Sequence, residues 1–248
     1  MDKEYLLIKS TGILGTEEAR RAALERLGVP AGYLPSGVAW RDHGSRQVWH
    51  FRYEKATGEN RRLGGEHFSF TVDVLSGEIL GVTWMDGRFS PQALPEGEEA
   101  QAVAGRFLGR VSPGLRETLT TLWVDRHDET VVIDGEQFPV SGTKVKMRRD
   151  FEGDYAWVIV GRGSPEDGGE PLAVTFERDI VWDSAADHRA TQFWLSDDYL
   201  AWHVDEHHPT LAKIGVIPAT DSTATAREES TGGFGEAVEA FRERGARL

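Results

Sequence analysis

Phe68-Ser69-Phe70-Thr71-Val72-Asp73-Val74-Leu75-Ser76-Gly77-Glu78-Ile79-Leu80-Gly81-Val82-Thr83-Trp84 reads as a β-hairpin. Phe68, Phe70, Val72 and Val74 alternate with Ser69, Thr71 and Asp73, the period of two that turns one strand face to a core. Ser76-Gly77-Glu78 makes the turn, and Ile79 to Trp84 resumes the β-branched and aromatic character. Just upstream, Val48-Trp49-His50-Phe51-Arg52-Tyr53 alternates in the same way, with Trp49, Phe51 and Tyr53 on one face. A helix precedes these strands. Thr16 reads as its N-cap, Glu17 and Glu18 suit the positive end of the helix dipole, and Ala19, Ala23 and Leu27 share a face. Gly28 and Pro30 close it.

The same order recurs further along. Glu98-Glu99-Ala100 starts a second helix, with Ala100, Val103, Ala104, Phe107, Leu108 and Val111 at helical spacing and Ser112-Pro113-Gly114 at its end. Tyr155 to Val160 then matches the Trp49 strand. Ala173-Val174-Thr175-Phe176 runs through Glu177-Arg178-Asp179 into Ile180-Val181-Trp182. The longer spacing in this second instance places an insertion at about residues 115–140. These patterns predict an α+β fold of two tandem helix-plus-antiparallel-sheet repeats, with a polar C-terminal extension. The expected units are residues 1–92, residues 93–195, and a tail of 196–248. Ser196-Asp197-Asp198 looks like a helix start, 218–233 a Thr/Ser/Gly-rich linker, and Phe234, Val238 and Phe241 one face of a terminal amphipathic helix.

The unit of a helix, a Trp-containing strand and Val72-Asp73-Val74-Leu75-Ser76-Gly77-Glu78-Ile79 resembles the PepSY domain, and its doubling resembles the YcdB/YcdC-type repeat. The likeness covers about residues 14 to 192. The second instance departs from it, carrying Glu177-Arg178-Asp179 where the first has Ser76-Gly77-Glu78. The resemblance implies a non-catalytic binding module, in some contexts one that restrains peptidases, and supplies no catalytic residues.

The 248 residues carry 28 basic and 41 acidic side chains, a net charge of −13, and no cysteine. The acidity argues against a phosphate-binding or nucleic-acid surface, which needs clustered Lys and Arg. The missing cysteines exclude disulfides, thiolate metal sites and a cysteine nucleophile. No P-loop, dinucleotide fingerprint, nucleophile elbow or EF-hand loop is present, and no cofactor is expected. The apolar run at Tyr5 to Ile8 is shorter than a signal-peptide core of roughly 7–15 residues. No stretch reaches the roughly 18 apolar residues of a membrane helix. A cytoplasmic chain with no membrane partner is the expectation.

Three clusters carry candidate chemistry. His203-Val204-Asp205-Glu206-His207 formally matches the H-x-x-E-H zinc pattern, with His203 and His207 one helical turn apart and Glu206 as a base. Pro209, directly beyond, ends any such helix. In Trp123-Val124-Asp125-Arg126-His127-Asp128-Glu129, an extended chain puts Asp125, His127 and Glu129 on one face, a carboxylate-flanked imidazole. His188 could join His127 in acid–base work if the sheet brought them together. Finally Arg149, with Arg148 and Arg178, could hold an anion beside Asp179, or form an ion-pair network with it. Arg178, on an apolar-looking face, calls for a carboxylate partner or a kink. Two functions follow from different classes. One is a non-enzymatic module binding a protein or peptide in an apolar groove; the other is a small-molecule enzyme or hydrolase using a His/carboxylate site near His127, His188 and Asp179.

Overall fold

A computed structural model gives the structure, and it describes residues 12–56, 63–89, 94–151, 153–163 and 168–203. The alternating segments form strands and the two amphipathic segments form helices. Helix α1 spans Thr16–Leu27 and α2 spans Gly97–Val111. Both carry acids in the first turn and an arginine in the last, as the helix dipole favours. Gly15, not Thr16, is the N-cap residue of α1. The strands are β1 (Tyr33–His43), β2 (Arg46–Lys55), β3 (His67–Asp73), β4 (Ile79–Met85), β5 (Leu119–Ile133), β6 (Glu136–Arg149), β7 (Tyr155–Arg162) and β8 (Pro171–Ile180). A short pair, β9 (Trp182–Asp183) and β10 (His188–Arg189), follows, and then helix α3 (Asp197–His203).

The expectation of two tandem helix-plus-sheet repeats is overturned. β1 to β8 form one eight-stranded antiparallel sheet in the order β1-β2-β3-β4-β8-β7-β6-β5. The junction is the β4–β8 ladder, where Gly81, Val82 and Thr83 face Glu177, Phe176 and Thr175. Joining them removes two strand edges that would otherwise expose backbone amides and carbonyls. It also stacks buried Val82 and Phe176 into the same core and sets Thr83 Oγ1 2.8 Å from Thr175 Oγ1. Side-chain alternation reports which face a residue takes but not which strand edges meet, so the join was invisible in the sequence. Residues 115–140, expected as an insertion, run through a 3₁₀ turn at Arg116–Thr118, all of β5 and the start of β6. Glu177-Arg178-Asp179, aligned above with the Ser76–Glu78 turn, lies within β8; the change of direction is left to Asp179, at φ 58°.

One main core lies between the helices and the sheet. Ala19 and Ala23 of α1 and Ala100, Val103, Phe107 and Leu108 of α2 pack on Phe51, Phe70, Val72, Val158 and Phe176. Alanines on the helix faces let the helices sit close to large aromatic rings of the sheet. Phe51 and Phe70 stack at 4.9 Å, and Phe107 meets Phe176 edge-on at 5.6 Å. The Ser76–Glu78 turn forms as read, with Gly77 at φ 69°, where a side chain is disfavoured. The Asp73 carboxylate organises it, accepting hydrogen bonds from the backbone N–H of Leu75 and Ser76. No helix among the described residues is long and apolar enough to cross a membrane.

Gly142 of β6 shows how closely β6 and β7 approach. A Cβ there would sit 2.6 Å from Ile159 Cγ2 and 2.9 Å from the Val160 carbonyl oxygen. Backbone cannot swing aside as a side-chain tip does. Gly142→Ala is therefore expected to lower stability by about 1–3 kcal/mol, read as a lower urea midpoint at unchanged m-value.

Candidate functional site

On the helical side an open apolar groove of about 220 Å³ lies between the end of α1 and α2. Its floor is Phe68 of β3, Val82 and Trp84 of β4, and Val174 of β8; Leu27 and Phe107 line its sides. Arg110 also lines it, its guanidinium 5.6 Å from the Phe107 ring centroid. The groove exists because α1 ends at Gly28, whose φ of 74° turns the chain away through Val29 and Pro30. Trp84 is held rigid by edge-on contacts with Tyr33 at 6.2 Å and Phe89 at 4.9 Å. The Tyr33 hydroxyl donates to Asp86 at 2.6 Å, so the wall behind Trp84 is itself anchored.

The opposite side of the sheet is polar yet buried. His50 and Arg52 of β2, His67, Ser69 and Thr71 of β3, and Glu177 of β8 are all buried there. They alternate with the aromatic core residues of β2 and β3. The chain from Val181 to His203 covers them. Trp194, Leu195 and Leu200 are buried, and Trp194 Nε1–H donates to the Asp42 carbonyl at 2.6 Å. Asp197, in the first turn of α3, takes both terminal nitrogens of Arg52 at 2.6 and 3.0 Å and the Gly64 N–H at 2.6 Å. Burial alone would raise the Asp197 carboxyl, but the charges of His67 and Arg52 and these hydrogen bonds hold it below its usual value. With His67 neutral near pH 7, Arg52 carries that stabilisation.

His67 Nδ1 lies 2.8 Å from Ser69 Oγ and Nε2 lies 3.6 Å from Asp197 Oδ1. The connectivity is that of a Ser-His-Asp triad, but Ser69 is 0% and His67 2% exposed, so no substrate reaches the hydroxyl. This group is a structural lock for α3. Burial pushes His67 and His50 down to about 3 and His43 to about 4; nearby arginines add to it. Both ring nitrogens of His43 and Nε2 of His50 have no hydrogen-bond partner among the described residues. Beside them Arg189 forms two bonds with Glu177, at 2.7 and 3.1 Å, and donates to the Thr191 and Gln192 carbonyls.

The residues singled out in the sequence fall in separate places. His127, on β5, has Nε2 2.8 Å from Glu129 Oε1, while Asp125 turns its carboxylate to the Arg126 N–H at 2.8 Å. His188 is exposed on β10, opposite Asp183. Arg149 pairs with Asp179, and with Asp154 at 3.1 Å. Arg178 bonds Asp179 and Glu78, each at 3.0 Å, and Arg46 reaches Glu78 at 2.8 Å and Asp179 at 3.3 Å. Arg149 and Asp179 are thus brought together, in an ion-pair network at one end of the sheet. Arg178 has both a carboxylate partner and a kinked neighbour. No contact joins His127, His188 and Asp179 among the described residues. His203 ends α3, stacked on Tyr199 at 4.0 Å with Nδ1 2.8 Å from the Tyr199 carbonyl oxygen. Glu206 and His207, the 218–233 linker and the terminal amphipathic segment lie outside the described residues. Among the described residues no group of three or more His, Asp or Glu is placed to hold a metal ion.

The groove, the buried histidines and the Asp197 lock were not found from the sequence. A signal for the lock was present: the polar positions of the alternation hold His50, Arg52 and His67, where smaller polar residues would serve a solvated face.

No family model matches this chain, and no curated protein matches it. Among solved structures, the C-terminal domain of YpeB from Bacillus megaterium aligns with a TM-score of 0.43 and 13% identity. The alignment covers 66% of this chain and 63% of that chain, under two thirds of its length. A likeness of that size assigns neither family nor activity.

Proposed function

We propose that this protein is a non-enzymatic module that binds a protein or peptide, seating an apolar side chain of its partner in the groove between α1 and α2. The observation that supports this reading is the groove itself, open to solvent and floored by Phe68, Val82, Trp84 and Val174. Its 220 Å³ suits one large apolar side chain, and a rigid pocket of that kind is where a binding anchor delivers most energy. Arg110 offers a positive rim to a carboxylate next to the anchor.

The test is selection of displayed random peptides on the immobilised protein, followed by affinity measurement on Ala173→Trp, which places an indole in the groove. Enriched peptides are expected to share one aromatic or aliphatic anchor, and the variant to bind them at least about tenfold more weakly, the loss of one such contact. Peptides without a common anchor, or equal binding by the variant, would rule the groove out.

A further inference from the structure

The face of the sheet opposite α2 carries a second surface, independent of the groove. Lys144, Lys146 and Arg148 of β6 alternate onto that face, because Val145 and Met147 between them point into the helical core. Aromatic rings separate the cations. Lys144 Nζ lies 4.2 Å from the Trp157 centroid and 5.9 Å from that of Trp123; Lys146 Nζ lies 5.4 Å from Trp123 and 4.9 Å from Tyr155. Trp123 is 40% exposed and Arg148 is exposed, so the stripe opens to solvent toward β5 and the β6–β7 turn.

These cations differ from the arginines buried elsewhere on the sheet. Arg46, Arg52, Arg149, Arg178 and Arg189 each pair with a carboxylate. Lys144, Lys146 and Arg148 make no ion pair among the described residues, and the carboxylates around them are engaged elsewhere. Asp125, opposite Lys144 in the ladder, bonds the Arg126 N–H. Glu177 holds Arg189, Glu129 lies against His127, Asp150 accepts from Thr120, and Asp154 pairs with Arg149. Burial pushes Lys144 down to about 8 and lowers Lys146 as well. Lys144 feels the carboxylates of Glu177 and Glu129, whereas Lys146 and Arg148 have no ion-paired acid, and an anionic ligand would supply one.

We propose that this face binds an acidic, extended peptide segment, its carboxylates on Lys146 and Arg148 and an apolar side chain of it against the exposed ring of Trp123. Residues two apart on a strand are about 6.6 Å apart, the repeat of side chains along one face of an extended peptide. Acidic and apolar residues at every second position of one peptide face would therefore meet the stripe and its rings in step, because Trp123 lies directly opposite Lys146 in the ladder. Charge and aromatic exposure also resemble a stacking platform for single-stranded nucleic acid. Lys146 and Arg148 are too few cations to track a phosphate backbone in a chain of net charge −13 but match two carboxylates, and this favours the peptide.

The experiment is fluorescence anisotropy with three labelled probes: an octapeptide of two Glu-Ser-Leu-Ser repeats (the Glu–Leu peptide), the same peptide with Lys for Glu (the Lys–Leu peptide), and an oligothymidine. At about 20 mM salt, where charge is weakly screened, the Glu–Leu peptide is expected to bind saturably and the Lys–Leu peptide not to. Lys146→Glu with Arg148→Glu is expected to weaken binding at least about tenfold and Trp123→Ala several-fold, whereas the groove-filled Ala173→Trp binds as the parent does. If the double charge reversal does not fold, Lys146→Gln with Arg148→Gln serves in its place. Absence of saturable binding, or equal affinity in the charge variants, overturns the proposal. Tighter binding of oligothymidine, lost in the same variants, overturns it in favour of nucleic acid.

Discussion

Between pH 7 and pH 5 this protein is expected to lose about 5 kcal/mol of folding stability, carried by His43, His50 and His67. All three are buried, at 5%, 5% and 2% exposure, and are held neutral down to about pH 4, 3 and 3 respectively. An unfolded chain protonates each near pH 6.5. The unfolded state therefore binds more protons over the whole interval from about 6.5 down to the folded values, and stability falls as pH falls. Each histidine contributes a slope approaching about 1.4 kcal/mol per pH unit, and three act together near pH 5. The charges around them sharpen the effect. His50 faces Arg41 and Arg52, with only Asp197 opposing; His43 faces Arg189 and Arg46 against Glu177 and Asp179. Carboxylates act elsewhere on the pH scale. Asp197 is depressed in the folded state, so its contribution persists above pH 4 and disappears only below that. Urea titrations at pH 7, 6 and 5 measure the slope directly. His50→Leu is expected to remove about a third of it, and a flat profile across this range would show that the histidines are protonated within the fold.

Glu177→Ala is expected to destabilise the protein by about 3–5 kcal/mol, as breaking a buried ion pair does. The Arg189 side chain is 1% exposed and Glu177 is its carboxylate partner, at 2.7 Å. Truncating the acid leaves the guanidinium in the interior with two carbonyls and the Phe193 ring, 3.7 Å away, but no counter-charge. Most of that loss is the penalty for an uncompensated charge, not the intrinsic worth of the pair. The double variant Glu177→Leu with Arg189→Met is therefore expected to recover to within about 1–2 kcal/mol of the parent. Thermal or urea unfolding of the parent and the two variants tests both statements. A double variant as unstable as Glu177→Ala would show that Arg189 matters through its bonds to Thr191 and Gln192.

The Arg189–Glu177 and Arg52–Asp197 pairs have one structural role. They attach the chain from Val181 to His203 across the polar side of the sheet. Trp194, Leu195 and Leu200 supply the apolar part of that attachment, while Asp197 and Arg189 fix its register. Arg189 of this segment reaches the Trp157 ring at 5.3 Å, while Trp123 and Arg148 farther along the stripe stay exposed.

How much of this was legible differs from element to element. Strands β2, β3, β4 and β7 were read from alternation, and both long helices from the spacing of Ala and Leu with acids at their starts. Those signals are local and survive in any tertiary setting. The neighbouring of Arg149 and Asp179 was also anticipated, though as one of two possibilities. His127 and His188 were considered as a pair because both lie near carboxylates in sequence; the sheet places them on β5 and on the separate β10 strand. The groove could not be read at all, since its lining comes from α1, β3, β4, α2 and β8.

By itself, the sequence determined the α+β class, the core face of β2 and β3, the hairpin at Ser76–Glu78, and the absence of cysteine chemistry. These follow from residue type and periodicity over a few positions. Only the tertiary structure decided that β4 and β8 close a single sheet and that the polar face of β2 and β3 is buried. It also decided which cations keep no counter-ion. Each of those outcomes depends on which distant segments share an edge or a face, and alternation along one strand carries no information about its partner.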